Sequence, residues 1–335
     1  MAAEPRQIFL CHAAPDRAHY YGDEALSRLA GLGELRLNET GRPLDTSGLI
    51  ASAAGCEVIV SDRQTEAPTA VFDGLPDLVA LVRCAVDIRN IDVAGASRAG
   101  VLVTRASPGF IDSVAELTIG FMVDLARGIS DATRDYRAGT APEISMGRQL
   151  RGSALGVIGY GSIGRRLAAL GLALGMQVRV HDPYVEVTEP GLRQADLKTM
   201  LAESDFVVCL AVATEETENL LGAAEFRLMK SSAFLVNVSR GNLVDEAGLE
   251  EALREGVIAG CAMDVGRAPD QMPSPELAKL PNVIATPHVG GLVPEAIAHQ
   301  ALETTRQVAE ILQGRPPVGA VNTEHASRLT RLQVG

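Results

Sequence analysis

Three glycines within six residues constrain this chain more than any other feature. Gly159, Tyr160, Gly161, Ser162, Ile163 and Gly164 form a GxGxxG run. The apolar segment Leu155-Gly-Val-Ile leads into it, and Leu167, Leu170 and Leu174 continue from it at helical spacing. A strand that turns directly into a helix uses its first glycine for the tight turn. The second lets backbone N–H groups approach a pyrophosphate, and the third lets the helix pack against the strand. The helix N-terminus then faces the anion. Asp182 closes the next apolar segment. A carboxylate there accepts from the adenosine ribose hydroxyls and repels a 2′-phosphate, so NAD(H) is expected in preference to NADP(H). Arg179 and Arg193 nearby leave that preference open. A lone glycine turn is a weak signal, whereas strand, helix and acid in register point to dinucleotide binding.

Strand–helix alternation surrounds the motif. Residues 155–159, 177–181, 205–211, 233–238, 257–263 and 282–286 read as strands, with helices over 163–174, 215–229 and 245–255 between them. Before the motif, residues 7–11, 57–60, 78–82 and 100–103 are apolar at nearly every position, as strands buried on both faces must be. The pattern predicts an α/β protein with doubly wound parallel sheets. One helix is expected from Ser113 to about Gly139, with Asp112 or Ser113 as N-cap, and another over residues 295–312. The last dozen residues are polar and expected to fray.

A length of 335 residues suggests two domains, and 47% hydrophobic residues supply their cores. With 42 acidic and 30 basic residues the net charge is −12, which disfavours nucleic acid and anionic lipid as partners. The absence of Trp and an aromatic content of 4% also argue against a base-stacking surface. No apolar run is long enough for a membrane span, and the first residues lack the plan of a leader peptide. A soluble, cytoplasmic protein is expected. Cys11, Cys56, Cys84, Cys209 and Cys261 are scattered and read as small buried hydrophobes, with no metal site.

Chemistry is expected beyond the carboxyl ends of the parallel strands. Arg240 follows the segment 233–238, Asp264 follows 257–263 and His288 follows 282–286. Each has a duller role when taken alone, as an ion-pair partner, a helix cap or a turn residue. Together, a guanidinium that grips a carboxylate or carbonyl and an imidazole that exchanges a proton suit hydride-transfer chemistry.

Several motifs carry a family resemblance: Arg83-Cys-Ala-Val-Asp-Ile-Arg-Asn90-Ile-Asp92, Ser113-Val-Ala-Glu116-Leu, the glycine run with Asp182, Val236-Asn-Val-Ser-Arg240-Gly-Asn-Leu-Val-Asp245-Glu, Met263-Asp264-Val and Thr286-Pro-His288-Val-Gly-Gly. In this order the chain resembles the D-isomer-specific 2-hydroxyacid dehydrogenases, in their phosphoglycerate dehydrogenase-like branch. The resemblance implies a Rossmann NAD-binding domain, residues 106–292, inserted into a flavodoxin-like substrate domain, residues 1–105 and 293–335. It implies a cleft between the two domains as the active site, a small anionic substrate and a homodimer. It makes Arg240 the substrate-orienting residue and His288 the acid/base. Ser239, Asp264 and Gly290 join the glycine turn and Asp182 as cofactor contacts, and the loop Cys84, Ala85, Val86 and Asp87 receives the substrate carboxylate.

The sequence also departs from that family. The family's glutamate, which partners the histidine, has no equivalent in Asp264-Val-Gly-Arg-Ala268-Pro269; Ala268 stands in its place and Asp270 is the nearest substitute. Asp87 brings a negative charge to the carboxylate loop, and Leu210-Ala-Val212 replaces a histidine-x-proline. Arg63, Arg83, Arg89 and Arg105 are candidate extra anion ligands or solvated surface arginines. Three functions follow: an NAD-dependent dehydrogenase of a 2-hydroxy or 2-keto acid, an NAD(H)-binding sensor with weakened catalysis, or a dehydrogenase of a different small anion.

Overall fold

Buried parallel strands must be apolar on both faces, and most strands of this protein follow that rule. A computed structural model describes residues 5–332. The chain forms two compact units: residues 1–109 with 294–335, and residues 110–293.

The first unit holds five strands: β1 (Gln7–Ala13), β2 (Glu34–Asn38), β3 (Val58–Ser61), β4 (Ala80–Arg83) and β5 (Leu102–Arg105). All pair in parallel in the order β2-β1-β3-β4-β5, the flavodoxin-like arrangement. β3 and β4 are buried at every position, whereas β2 alternates exposed and part-buried residues. As an edge strand reading Glu-Leu-Arg-Leu-Asn, β2 carries little apolar signal, and the sequence reading passes over it. The helix Pro294–Ile311 buries Ala301, Thr304, Val308 and Ile311 in this unit's core. The tail does not fray as expected: Leu329 and Leu332 are buried in the same core, and the Arg328 guanidinium donates to the carbonyls of Leu75 and Leu78. The first four and last three residues lie outside the described range.

The second unit holds seven: β6 (Ala154–Ile158), β7 (Gln177–His181), β8 (Leu192–Gln194), β9 (Phe206–Cys209), β10 (Phe234–Asn237), β11 (Gly260–Met263) and β12 (Val283–Ala285). Their parallel order is β12-β11-β10-β9-β6-β7-β8. The winding reverses between β6 and β9, which is the Rossmann switch point where ligands bind. β8 is only three residues long, with two of them exposed, and gives no apolar run to read.

Two helix expectations are corrected. The helix from Ser113 is two helices, Ile111–Arg127 and Ile129–Arg137. Gly128 between them adopts φ +61, a left-handed conformation that ends the first helix and costs glycine little. Neither Asp112 nor Ser113 caps it; Phe110 occupies the N-cap position. Over residues 215–229 only Ala223–Phe226 is helical. Polar 214–219 instead form a turn closed by the Thr217 hydroxyl donating to the Val212 carbonyl, the local competition that Thr offers to a helix.

Candidate cofactor and proton-transfer site

The loop after β6 follows the physical logic of its three glycines. Gly159 adopts φ +93, and a Cβ there would lie 2.6 Å from the Leu210 carbonyl oxygen beyond β9. The turn therefore presses against the neighbouring strand end across the switch point. A Cβ on Gly164 would overlap the Gly159 carbonyl oxygen outright, so the helix Ser162–Ala173 sits directly on the turn. A Cβ on Gly161 would meet nothing within 4 Å. Gly161 and Ser162 are exposed at the N-terminus of that helix, and the open space above them suits an anion held by backbone N–H groups and the helix dipole. Ile163 is half-buried and packs toward the unit's core. Tyr160 is buried, with the Arg165 guanidinium 4.3 Å above its ring centroid. The arginine also pairs with Glu189.

Asp182 ends β7 and binds the glycine turn directly: its carboxylate accepts from the Tyr160 N–H (2.7 Å) and the Tyr184 N–H (2.9 Å). The two arginines that left cofactor preference open are both engaged elsewhere. Arg179 donates to Glu203 at 2.8 Å and Arg193 pairs with the same carboxylate at 3.4 Å. Arg179 holds the Glu203 carboxyl below its ordinary range, chiefly by hydrogen bonding.

Arg240, Asp264 and His288 follow three adjacent strands, β10, β11 and β12, at the same edge of the sheet. Arg240 is half-buried in extended backbone; its carbonyl accepts from the Asn237 side chain at 3.0 Å and its Nη1 donates to the Ser239 carbonyl at 2.7 Å. Ser239 in turn donates its hydroxyl to the Ala211 carbonyl at 2.7 Å, joining the ends of β9 and β10. A Cβ on Gly241 would overlap the backbone of Gly266. The loops after β10 and β11 thus meet backbone to backbone.

Asp264 is 2% exposed, and its carboxylate is surrounded by donors from the loop after β12. Oδ1 accepts from the Thr286 hydroxyl (2.6 Å) and the Val289 N–H (2.8 Å), and Oδ2 accepts from the Gly290 N–H (2.8 Å). His288 lies between these donors at φ +56. Its Nδ1 is 2.9 Å from the Asp270 backbone carbonyl. That oxygen only accepts, so Nδ1 carries the hydrogen and Nε2 is left as the ring's acceptor in the neutral imidazole.

Asp270, the nearest substitute for the missing glutamate, meets the ring through its backbone carbonyl. Asp270 and Gln271 both adopt left-handed φ, +60 and +57. The loop is closed by Gly266 N–H to the Gln271 carbonyl (2.9 Å) and Ala268 N–H to the Met272 carbonyl (3.1 Å). Arg267 anchors it from outside through Asn219 Oδ1 (2.6 Å), the carbonyls of Asn242 and Val244, and Glu218 (2.8 Å). Among the described residues, the four non-glycine residues with positive φ are Asn219, Asp270, Gln271 and His288. All belong to this network. Strained backbone of this kind persists where its surroundings over-determine it, and it concentrates at functional sites. Arg267 lies in no motif and Thr286 only opens the one that holds His288, so the sequence assigns neither a role.

In the first unit, Cys84 and Ala85 are buried at the end of β4, with Val86 and Asp87 half-buried. The N–H groups of Ala85 and Val86 donate to no acceptor among the described residues. Asp87 is paired within the loop, accepting from Arg89 Nη2 at 2.6 Å. Arg89 fits the solvated reading, but Arg83 does not: it is fully buried. Its Nη2 donates to the Thr65 carbonyl at 3.1 Å and to Asn90, joining the loops after β3 and β4. All five cysteines are free and buried, and burial raises the thiol pKa of each.

Known proteins are similar to this chain over most of its length. The model of the NAD-binding domain of the D-isomer specific 2-hydroxyacid dehydrogenases matches residues 119–290. The chain is 34% identical over 278 residues to a D-3-phosphoglycerate dehydrogenase of Archaeoglobus fulgidus, covering 82% of this chain but only 53% of that relative. It is 30% identical over 329 residues to a glyoxylate reductase of Korarchaeum cryptofilum, with 96% and 97% covered. A crystal structure of a D-isomer specific 2-hydroxyacid dehydrogenase from Lactobacillus delbrueckii ssp. bulgaricus, in its NAD-complexed form, superposes with a TM-score of 0.80. It shares 26% identity and covers 94% of this chain and all of that one. The chain belongs to the D-isomer specific 2-hydroxyacid dehydrogenase family.

Proposed function

We propose that the protein is an NAD(H)-dependent dehydrogenase of a small 2-hydroxy acid, or reductase of the corresponding 2-keto acid. The observation that carries this reading is the placement of Arg240, Asp264 and His288 on three adjacent strand ends of the sheet that bears the glycine turn. NAD(H) supplies the hydride acceptor or donor when bound. The turn Gly159–Gly164 holds its pyrophosphate, with Tyr160 as the turn's buried support, and Asp182 holds its adenosine ribose. Ser239, Asp264 and Gly290 border the nicotinamide end. The carboxylate of Asp182, with Arg179 and Arg193 committed to Glu203, supports NAD(H) over NADP(H).

Arg240 binds the substrate carboxylate and polarises its carbonyl as charge develops on oxygen. His288 exchanges the accompanying proton at Nε2 while the Asp270 carbonyl keeps Nδ1 protonated. The loop Cys84, Ala85, Val86 and Asp87 gives backbone N–H groups to the substrate carboxylate. We assign residues 106–292 to cofactor binding and residues 1–105 with 293–335 to substrate binding. A sensor with lost catalysis is less well supported, because the His288 ring retains an orienting partner despite the missing glutamate.

The active form is inferred to be a homodimer in the cytoplasm. Ile129, Tyr136, Ile144 and Met146 place exposed apolar surface on one stretch of chain, which a second copy would cover. Five free, buried thiols suit a reducing compartment. Among the described residues, no helix is long and apolar enough to cross a membrane.

The test is a panel of 2-keto acids with NADH or NADPH, followed by absorbance in both directions. Turnover is expected with at least one member and preferentially with NADH, and Arg240→Ala is expected to lower kcat/KM by about 10³-fold or more. No turnover across a broad panel defeats the reading.

A further inference from the structure

We propose that Asp264 and Thr286 are positioning residues for the proton-carrying histidine: together they clamp the turn of residues 286–290 and thereby fix the His288 ring. This rests on the assignment of His288 made above.

A non-glycine residue at φ +56 stays there only if both flanks are held. The backbone contributes little: Thr286 N–H donates to the Met263 carbonyl (3.0 Å), and His288 N–H donates to the Thr286 carbonyl (2.9 Å). The Asp264 carboxylate supplies the rest. It accepts from Thr286 on one side of His288 and from Val289 and Gly290 on the other, all at 2.6–2.8 Å. Hydrogen bonds to a carboxylate are roughly twice as strong as neutral ones. Burial of the carboxylate keeps water from competing for it. A Cβ on Gly290 would stand 2.9 Å from Asp264 Oδ2, so the turn has glycine at the point where the carboxylate closes on it. An ionised carboxylate offers about four acceptor positions, and three of them are occupied inside the protein. The main effect of Asp264 on proton transfer is therefore exerted through the turn. With the Asp270 carbonyl on Nδ1, the imidazole is fixed at its backbone and at its ring.

Thr286 separates this role from direct cofactor contact, because its hydroxyl is spent on Oδ1. Thr286→Val keeps the side-chain shape and removes one hydrogen bond of the clamp; Thr286→Ser restores it. We expect Thr286→Val to lower kcat by about tenfold, short of the roughly 10²-fold that a 1 Å misplacement can cost, while the NADH dissociation constant, read by fluorescence, changes less than twofold. Thr286→Ser should recover most of kcat. Thr286→Ala takes the place of the valine variant if that one does not fold.

An activity-free arm follows the His288 ring resonances by NMR, assigned by their loss in His288→Asn. They should move in Thr286→Val and return in Thr286→Ser. Unchanged kcat, an equal loss of NADH affinity and kcat, or unmoved His288 resonances would each overturn the proposal. If the wild-type protein reduces no keto acid, the NMR arm still decides the clamp, and the failure belongs to the functional reading alone.

Discussion

Two alanine substitutions three residues apart, at Gly161 and Gly164, should fail in opposite ways, because the glycines they replace answer to different neighbours. At Gly161 the backbone is ordinary for an L-residue, φ −73, and a Cβ meets nothing within 4 Å. Alanine is a poorer N-cap than glycine, at a cost of a few tenths of a kcal/mol or somewhat more. It also restricts the unfolded chain, which contributes about 0.4–1 kcal/mol in the other direction. Folding stability should therefore change by less than about 1 kcal/mol. The new methyl group fills the space assigned to the pyrophosphate, and a displaced phosphate loses at least about 1.4 kcal/mol, tenfold in affinity.

At Gly164 the same methyl overlaps the Gly159 carbonyl oxygen, so helix and turn must separate. Overpacking of this kind costs up to about 3 kcal/mol, and the helix recovers about 1 kcal/mol from the better propensity of alanine. A net loss near 2 kcal/mol lowers the unfolding temperature by roughly 4–8 °C for a domain of this size. NADH titration by fluorescence and thermal unfolding by circular dichroism read the two quantities separately. Undiminished NADH affinity in Gly161→Ala would refute the assignment of the open space to the phosphates. An unshifted melting temperature in Gly164→Ala would refute the close-approach argument.

Two further predictions concern stability of the first unit. Burial pushes His12 down to about 4 from 6.5, opposed in part by Asp62 and Asp16. Above pH 6.5 both folded and unfolded chains hold it neutral; below, the unfolded chain binds a proton that the folded one refuses until about pH 4. Stability should fall by about 3 kcal/mol across that window, and urea unfolding of wild type against His12→Gln should show it as a divergence on acidification; parallel curves would rule it out. Asn322 is buried, accepting from the Val103 N–H (2.8 Å) and donating to the Val101 carbonyl (2.9 Å) and Ser97 (3.0 Å). Asn322→Leu strands those buried groups and should cost about 2–4 kcal/mol by urea unfolding; a loss under 1 kcal/mol would show that they find other partners.

Much of the fold was legible because buried parallel strands and the glycine turn write themselves locally. The apolar runs at β3, β4, β9 and β10 need no partner to be recognised, and Asp182 stands at a spacing set by one strand–helix–strand unit. The edge strands β2 and β8 carry no readable apolar run, because exposed residues interrupt it at two of five positions in β2 and two of three in β8. One glycine is tolerated in a helix, so the sequence does not mark the break at Gly128, which only its φ of +61 shows.

The sequence by itself singled out the groups proposed to do chemistry: the glycines, Asp182, Arg240, Asp264 and His288 stand out by residue type and by position after a strand. It also showed that the family's glutamate is absent. Only the tertiary structure decided how the histidine manages without it. A backbone carbonyl has no letter in the sequence, and Asp270 presents its own to His288 only because two successive left-handed residues, closed by Gly266 and Ala268 and anchored by Arg267, shape the loop. The same holds for Arg83, a surface candidate by composition whose burial follows from where β3 and β4 bring their loops together. Local pattern carries side-chain chemistry; the orientation of backbone groups and the burial of charge depend on contacts between segments far apart in the chain.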